Sequence, residues 1–566
     1  MTATISHTRL RVLFAFFAVV SLLLSARLAY WQTVGRADLL SRATDQVHSD
    51  LVVAAQRGVI RDRSGAILAT TVELRSLYAI PGLMTDRDGK DTRPAVAAAI
   101  APILGEKADV MRAAFDSGAE WLFVRRRLPE DTAAQIAALH LPGLGFEMEP
   151  KRLYPNGAVG AQVLGFVNDD GVGQYGVEGR YATDLSGTPG RLVVARDPAN
   201  RELALGLRTA VPAKNGDDLS LTIDLAVQNA VERELAAVVE REKAAGGAIV
   251  VLDPKDGAIL AMASSPTYDP ARVGSAEAEA LRNRAISWTY EPGSTMKAIT
   301  VAAALDKGVI TPSTSYQDVG YAVIGGRKLC NAGCRVYGPT TITQILARSQ
   351  NAGAVFVASK LGAGDLNSYL QAFGFGQRTG VDLSAETGGI VRPLAEWYPV
   401  DLGTISFGQG LSVTPLQLAA AYAAIANGGT LYQPYVVASR RDADGEHRTA
   451  PVAVRRVISE ETSRTLVTML TATVDIGIAN AASLKGYSVA GKTGTAQIPS
   501  DDGSYMDDAY ISSFAGFVPA IDPRMVVVVV LEKPQSKLLG TVPAMNTFKA
   551  IATDALRYAR VQPDRP

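Results

Sequence analysis

The longest apolar stretch of the chain lies close to the N-terminus. Residues 12–26 are all apolar or small, and residues 12–31 together have the length of a helix that crosses a bilayer, about 20 residues. Arg9 and Arg11 precede the stretch, and the positive-inside rule then places residues 1–11 in the cytoplasm as a short tail. A cleaved signal peptide also fits a stretch of this length, but no small-residue cleavage site follows it. The pattern predicts an uncleaved transmembrane anchor over 12–31.

Residues 36–215 carry short apolar runs separated by many turn residues. At 57–70 an Asp-Arg-Ser-Gly turn stands between two apolar runs, which predicts a β-hairpin. Glycines and charged residues are dense at 154–191, a composition typical of turn geometry. We expect an irregular, β-rich domain over 36–215.

A different pattern follows this loop-rich region. A short strand, LSLTI, leads to Asp224, a suitable N-cap for a helix whose apolar positions recur every three or four residues. Gly246 and Gly247 are predicted to end that helix. Two apolar strands then follow at 247–253 and 258–264, joined by a Lys-Asp-Gly turn, and this predicts a second hairpin.

The C-terminal third of the chain continues the mixture of helices and strands. Thr414 and Gln417 form a capping box with proline at the first helical position, and the helix is expected to stop at Asn427. Two later strands and a closing helix are predicted at 487–497, 525–531 and 546–558. Together these patterns predict an α+β fold in which helices pack on an antiparallel sheet.

Composition removes several classes of function. The chain has 566 residues, of which 47% are hydrophobic, enough for folded domains rather than disorder. Its 56 basic and 56 acidic residues cancel, so the chain lacks the positive charge that nucleic-acid binding needs. Only four scattered histidines are present, which argues against a histidine-rich metal centre and a Ser-His-Asp triad. A catalytic serine in this chain needs another base.

Two cysteines, Cys330 and Cys334, lie in a CNAGC segment. Two cysteines are too few for a disulfide-dense scaffold or a four-cysteine zinc site. Outside the cytoplasm the pair could form a local disulfide, and two free thiols in a loop fit the sequence equally well. The sequence leaves both alternatives open.

A serine and a lysine one turn apart open an apolar helical pattern. Ser294 and Lys297 follow a Glu-Pro-Gly segment, and their spacing places both on one helix face. A helix N-terminus stabilises negative charge on the serine oxygen. A lysine in a low-dielectric site can lose its proton and act as the base. This is the only S-x-x-K in the chain, although chance alone can produce one such match.

Two further motifs, each present once, change that assessment. Ser349 and Asn351 form the only S-x-N, and Lys492 begins the only K-[ST]-G, which includes Gly494 and runs on to Thr495. A second serine and an amide can relay protons and bind substrate amides, and a strand lysine with hydroxyls nearby can hold a carboxylate. Three motifs that each occur once, in this order and spacing, are hard to assign to chance, and they predict a functional site.

These three motifs are the signature shared by penicillin-binding proteins and serine β-lactamases. Beyond them, the chain resembles the class B penicillin-binding proteins, the monofunctional peptidoglycan D,D-transpeptidases. The resemblance covers nearly the whole chain through the anchor and the segments RGVIRDRSGAILA, RLYPNG, GVEG, LTIDLAVQ, NRAISWTYEPGSTMK, SFGQGLSVTPLQLA and AGKTGTAQ. AGKTGTAQ followed by SSFAGFVPA is most similar to the septal, cell-division branch. Gln350 departs from the serine frequent there, and we expect little effect because Ser349 and Asn351 are intact.

The resemblance implies an architecture and a set of roles. The expected fold is an α+β chain with a pedestal, dimerisation-like domain over 36–215 and a transpeptidase domain over 216–560, built on a five-stranded antiparallel sheet between helices. Ser294 attacks the penultimate D-alanine of a stem peptide, and its backbone N–H completes an oxyanion hole with that of Thr495. The implied catalytic residues are Ser294, Lys297, Ser349 and Asn351, and the implied substrate-binding residues are Lys492, Thr493, Gly494 and Thr495. No metal or organic cofactor enters this chemistry.

The resemblance also implies partners and a location. The expected ligands are peptidoglycan stem peptides and β-lactams, and the expected partners are a multi-pass membrane glycan polymerase and other divisome proteins. The catalytic domain would lie outside the bacterial cytoplasmic membrane, at the division septum. Alternatives are an elongation-specific transpeptidase and a non-catalytic β-lactam sensor or divisome scaffold. A β-lactamase needs neither an anchor nor the long segment before the motifs, and a bifunctional synthase needs a glycosyltransferase domain after the anchor.

Overall fold

The computed structural model describes residues 7–36, 38–39, 48–195, 208–500, 504–535 and 540–566. The chain divides into two compact units, one formed by Met1–Gln56 with Ser186–Gly216 and the other by Arg57–Leu185 with Asp217–Pro566.

The N-terminal helices are α1 His7–Thr33, α2 Arg93–Leu104, α3 Ala108–Phe115, α4 Glu130–Ala137, α5 Ala161–Leu164, α6 Gly176–Arg180 and α7 Ala182–Ser186. The next are α8 Leu225–Glu242, α9 Ala278–Leu281, α10 Arg284–Ser287, α11 Met296–Asp306, α12 Ile342–Arg348 and α13 Asn351–Leu361. The last are α14 Ala363–Ala372, α15 Asp401–Ser406, α16 Pro415–Ala426, α17 Glu460–Asp475 and α18 Val542–Tyr558.

The strands follow the same chain order. The first are β1 His48–Val53, β2 Ile60–Arg61, β3 Ile67–Ala79, β4 Leu122–Leu128, β5 Leu144–Leu153, β6 Phe166–Val167, β7 Gly173–Gln174, β8 Gly190–Ala195 and β9 Arg208–Val211. The next are β10 Asp218–Leu221, β11 Gly246–Leu252, β12 Ile259–Ser265, β13 Ser315–Asp318, β14 Tyr321–Ile324, β15 Arg327–Cys330 and β16 Gly338–Thr341. The last are β17 Thr430–Tyr432, β18 Val437–Asp442, β19 Gly445–Arg448, β20 Ala453–Arg456, β21 Ala490–Pro499, β22 Tyr505–Val518 and β23 Met525–Glu532.

The first unit holds the N-terminal helix and a small antiparallel sheet. Helix α1 has 27 residues, is apolar enough to cross a membrane, and buries none of its described side chains. It begins before the predicted span and ends two residues beyond it, and it fits a single-pass membrane protein. Strands β1, β8 and β9 pair in that order.

The second unit contains a mixed sheet that carries the predicted hairpin. Strands β2 and β3 pair antiparallel, with Ile60 opposite Ala69, as predicted. The sheet order is β19-β18-β10-β2-β3-β4, with β5 also paired to β3 and with β10 parallel to β2. A separate apolar cluster packs β3 and β4 against α2, α3 and α4.

An antiparallel sheet that is buried on both faces forms the centre of the second unit. Across the described residues its five strands run in the order β12-β11-β23-β22-β21, which confirms the expected architecture. Successive β23 side chains point to opposite faces, so Val526, Val528 and Val530 join one core cluster and Val527 and Val529 the other. Helix α16 packs on the first face, and α8 and α18 pack on the second. Strand β21 lies at the edge of the sheet.

Several helix ends follow the predicted caps, and two do not. Asp224 caps α8 by accepting bonds from the backbone N–H groups of the first turn, and the capping box of α16 is present. Helix α8 ends at Glu242 because Lys243 takes a left-handed conformation, φ +49°. The predicted stop at Gly246 and Gly247 is therefore wrong, and both glycines belong to β11. Helix α18 begins four residues before the predicted position, since a proline is tolerated in its first turn.

Candidate active site

Ser294 lies in a tight turn that runs directly into helix α11. Residues Gly293–Thr295 form a single 3₁₀ turn, and α11 begins at the next residue. Gly293 adopts φ +58°, which favours glycine. The Thr295 hydroxyl donates to Pro292 O at 2.8 Å, and the Tyr422 hydroxyl donates to Thr295 O at 2.9 Å. The turn is thus fixed from both sides, while Ser294 itself remains half-buried at a helix start, as predicted.

Lys297 lies one turn along α11 and is fully buried. Its Nζ donates to Ser349 O and to Asn351 Oδ1, both at 2.7 Å, and lies 3.2 Å from Ser349 Oγ. Motifs separated by more than fifty residues in the sequence therefore meet at one lysine nitrogen.

Ser349 and Asn351 lie at the junction of two helices. Ser349 ends α12 with φ +56°, a left-handed conformation that is uncommon outside glycine and is found at functional sites. Asn351 begins α13, and its Nδ2 donates to Cys330 O at 3.0 Å, which leaves Oδ1 to face Lys297. Gln350, the departure in this motif, is buried, and its Nε2 donates to Thr340 Oγ1 at 3.2 Å rather than to the motif residues.

Lys492 approaches the same serine from the edge strand β21. It is fully buried, and its Nζ donates to Ser349 Oγ at 2.9 Å, to Thr493 O at 3.2 Å and to Thr493 Oγ1 at 3.3 Å. A Cβ on Gly494 would lie 2.8 Å from Pro292 O, so only glycine lets the strand pass this close to the serine turn. Thr495 follows, with its side chain exposed.

The site contains two buried amines close to one hydroxyl. Burial, together with the neighbouring Lys492 charge, lowers the pKa of Lys297 well below its usual value. Burial alone lowers the pKa of Lys492 to about 7. Neither amine has a carboxylate within ion-pair distance among the residues that the structure describes, so nothing there restores the charged form. The lowered pKa of Lys297 favours its neutral form, and the lysine lies one helical turn from Ser294, a spacing that is compatible with a general base.

Several features of the site are not predicted by the sequence. Tyr422 lies within the helix that the sequence predicts after Thr414, and nothing in that pattern indicates that its hydroxyl contacts the serine turn. Cys330 and Cys334 form a disulfide, with their Cα atoms 4.8 Å apart. Asn331, between them, contacts the S-x-N segment, and its only sequence signal was the unusual C-x-x-x-C loop.

Comparison with known proteins agrees with this geometry. The model of the penicillin binding protein transpeptidase domain matches residues 247–553, and that of the penicillin-binding protein dimerisation domain matches residues 52–221. Stage V sporulation protein D of Bacillus subtilis (strain 168) is 36% identical over 98% of this chain and 86% of its own length. Peptidoglycan D,D-transpeptidase FtsI of Escherichia coli (strain K12) is 34% identical over 90% of this chain and 85% of its own.

A solved structure extends the likeness to three dimensions. Penicillin binding protein 3 of Mycobacterium tuberculosis, in complex with aztreonam, has a TM-score of 0.72 and 28% identity over 91% of this chain and 99% of that one. The arrangement of an apolar N-terminal helix, a dimerisation domain and a transpeptidase domain is that of the class B proteins. The chain belongs to the penicillin-binding protein transpeptidases of class B, as its sequence predicted.

Proposed function

We propose that this chain is a peptidoglycan D,D-transpeptidase that cross-links stem peptides through an acyl-enzyme on Ser294. The observation that carries the proposal is the set of contacts at Lys297. Two of its N–H groups are directed to Ser349 O and Asn351 Oδ1, so the lone pair of the neutral amine is left for a hydroxyl proton. Burial lowers the pKa of Lys297, which favours the neutral amine that a base requires.

In the first half-reaction Ser294 Oγ bonds to the carbonyl carbon of the penultimate D-alanine. Its proton passes to Lys297 Nζ, and the terminal D-alanine leaves with a proton returned to its nitrogen through Lys297 and the Ser349 hydroxyl. In the second half-reaction an amine of a neighbouring stem attacks the ester, and Ser294 recovers its proton. Asn351 holds Lys297 and binds substrate amides. A β-lactam follows the first half-reaction and leaves an acyl-enzyme that hydrolyses slowly.

Strand β21 supplies the substrate-binding side. Among the described strands β21 pairs only with β22, and the other edge of such a strand can bind an extended peptide through backbone hydrogen bonds. Lys492, Thr493, Gly494 and Thr495 bind the substrate there, with the cation and the hydroxyls on its terminal carboxylate. The N–H groups of Ser294 and Thr495 form the oxyanion hole.

The septal role and the membrane setting are further parts of the proposal. Helix α1 anchors the chain, with Arg9 and Arg11 on the cytoplasmic side and the domains over 36–215 and 216–560 outside. A tether raises the local concentration of the enzyme near membrane-bound precursors. The small residues Ala15, Ala18 and others in α1 permit close packing of another membrane helix. The partner class is a multi-pass glycan polymerase, with other divisome proteins contacting the pedestal.

The acyl-enzyme is tested with Ser294→Ala and a fluorescent penicillin. We expect all covalent labelling and all D-alanine release to disappear, while Ser368→Ala, which changes an exposed helix serine, leaves both intact. An adduct on the Ser294→Ala protein by intact-mass spectrometry contradicts the assignment. Wild-type labelling without cross-linking of a D-Ala-D-Ala donor to an amine acceptor favours the sensor or scaffold alternative.

The setting is tested by exchanging residues 1–31. One variant carries an unrelated transmembrane helix of the same orientation, and another carries a cleavable signal peptide. Penicillin labelling should survive both exchanges, and imaging should place the labelled wild-type protein at the septum. Full division with the soluble form overturns the tether, and an even wall distribution favours the elongation alternative.

A further inference from the structure

The loop between the two cysteines lies against the start of helix α13. Asn331 is buried, and its Oδ1 accepts a bond from the backbone N–H of Ala352 at 3.0 Å. The residue before it, Cys330, accepts the bond from Asn351 Nδ2 at 3.0 Å. Two consecutive residues of the loop therefore contact two consecutive residues of the S-x-N helix.

These contacts replace a missing helix cap. The first N–H groups of a helix have no partner within it, and Gln350, at the N-cap position of α13, makes no side-chain cap bond. Asn331 supplies that bond from a distant part of the chain, with the residue type that caps helices best. The start of α13 is thus fixed by the loop rather than by its own sequence.

A buried carboxylate fixes the amide of Asn331 in turn. Asn331 Nδ2 donates to both oxygens of Asp318, at 2.9 and 3.1 Å, and to Arg335 O at 2.9 Å. Asp318 is itself fully buried and accepts from the N–H groups of Gly320 and Tyr337, both at 3.0 Å. With Nδ2 held there, the Asn331 oxygen can face only the helix.

We infer that Asn331 is a positioning residue for acylation, acting through Asn351. The inference rests on the proposed function. Holding α13 and Cys330 in place fixes the Asn351 amide with its oxygen toward Lys297, which keeps one N–H of that amine occupied and leaves its lone pair for a hydroxyl proton. An amide free to rotate would present N–H donors to the base for part of the time.

The test is Asn331→Ala in the full-length protein, assayed by penicillin acylation over a range of concentrations. We expect the acylation rate at saturation to fall about tenfold, the size of one lost hydrogen bond, with half-saturation unchanged because Lys492 is untouched. Asn427→Ala is the matched control, since Asn427 also bonds to backbone through both side-chain atoms: its Nδ2 donates to Pro254 O and Thr430 O, and its Oδ1 accepts from Thr430 N–H. That control should lower the melting temperature comparably and leave acylation unchanged.

A second variant separates positioning from general loosening. Asp318→Ala keeps Asn331 with its bonds to Arg335 O and Ala352 N–H, but it removes the carboxylate that also accepts from Gly320 and Tyr337. We expect it to lower the melting temperature at least as much as Asn331→Ala and the acylation rate at saturation less. An Asn331→Ala protein that acylates at the wild-type rate overturns the inference, as does an equal loss in the Asn427→Ala control. Either result leaves the proposed function standing as long as wild-type Ser294 is labelled, and it is the absence of that label that would overturn the function itself.

Discussion

The helix side and the strand side of the site each contribute one fully buried lysine, and the two are held differently. Lys297 donates at 2.7 Å to two carbonyl oxygens, those of Ser349 and the Asn351 side chain. Lys492 contacts the Ser349 hydroxyl and atoms of Thr493 in its own strand, at 2.9 to 3.3 Å. A lysine held by fixed acceptors suits a neutral base. Lys492 also makes three contacts, but two of its acceptors are hydroxyls that can rotate, and we expect these contacts to yield to an incoming anion.

The strongest way to break this comparison is Lys297→Ala. Loss of a general base costs about 10²–10⁴-fold, and we expect acylation at saturating β-lactam to fall within that range while half-saturation changes little. Stopped-flow acylation measures both quantities. Lys307→Ala, which removes a surface lysine paired with Asp365, should behave like wild type, and a fall of less than tenfold for Lys297→Ala contradicts its role as the base.

The matching change on the strand side is Lys492→Ala. A charge-assisted hydrogen bond is worth about 1.5–3 kcal/mol, so we expect a loss of about tenfold or more in second-order acylation, carried mainly by weaker binding. Methyl esterification of the β-lactam carboxylate should weaken acylation of the wild-type protein but hardly affect the variant. If the losses of acylation from Lys492→Ala and from esterification of the β-lactam are additive, Lys492 does not bind the carboxylate.

A pH profile sharpens the difference without any mutation. Only the protonated form of Lys492 attracts a carboxylate, and its pKa is lowered to about 7, so second-order acylation should fall as pH rises above about 7. At saturating β-lactam the bound carboxylate stabilises the ammonium form of Lys492, so the fall in acylation rate should occur at a higher pH. The same falling limb in Lys492→Ala would assign it to another group.

The smallest expected effect tests the scaffold beneath the helix side. Tyr422→Phe keeps the ring but removes the bond to Thr295 O, and the loss of one buried hydrogen bond costs about 0.5–1.5 kcal/mol of unfolding free energy. We expect a lower melting temperature with acylation reduced by less than about threefold. A larger loss of acylation rate at an unchanged melting temperature would show that Tyr422 takes part in the reaction itself.

The features that depend on local sequence spacing could be predicted from the sequence. Helix geometry alone makes Ser294 and Lys297 neighbours, and the N-cap side chains of Asp224 and Thr414 mark where their helices begin. A run of seven apolar residues is enough to predict β23 as a buried strand, without knowing that its side chains alternate between the two faces of the sheet.

The remaining features depend on contacts that no local pattern encodes. Asn331 acts on a helix that starts twenty residues later, through a loop whose path is set by a buried carboxylate. The sequence does not decide whether the disulfide forms, because a C-x-x-x-C spacing permits both a disulfide and two free thiols. Helix α8 ends before the predicted glycines because Lys243 adopts a left-handed conformation. Glycine is the usual residue in that conformation at a helix end, so the sequence does not predict a stop at a lysine.

Placing both amines out of water also has a thermodynamic consequence for the whole domain. In the window between about pH 7 and the usual lysine value, the folded chain holds fewer protons on Lys492 than the unfolded chain does. The free energy of unfolding therefore rises with pH across that window. At neutral pH the fold retains two desolvated polar groups that apolar side chains of similar volume would replace with a gain in stability. The same burial that sets the chemistry of these lysines thus lowers the heat resistance of the domain that contains them.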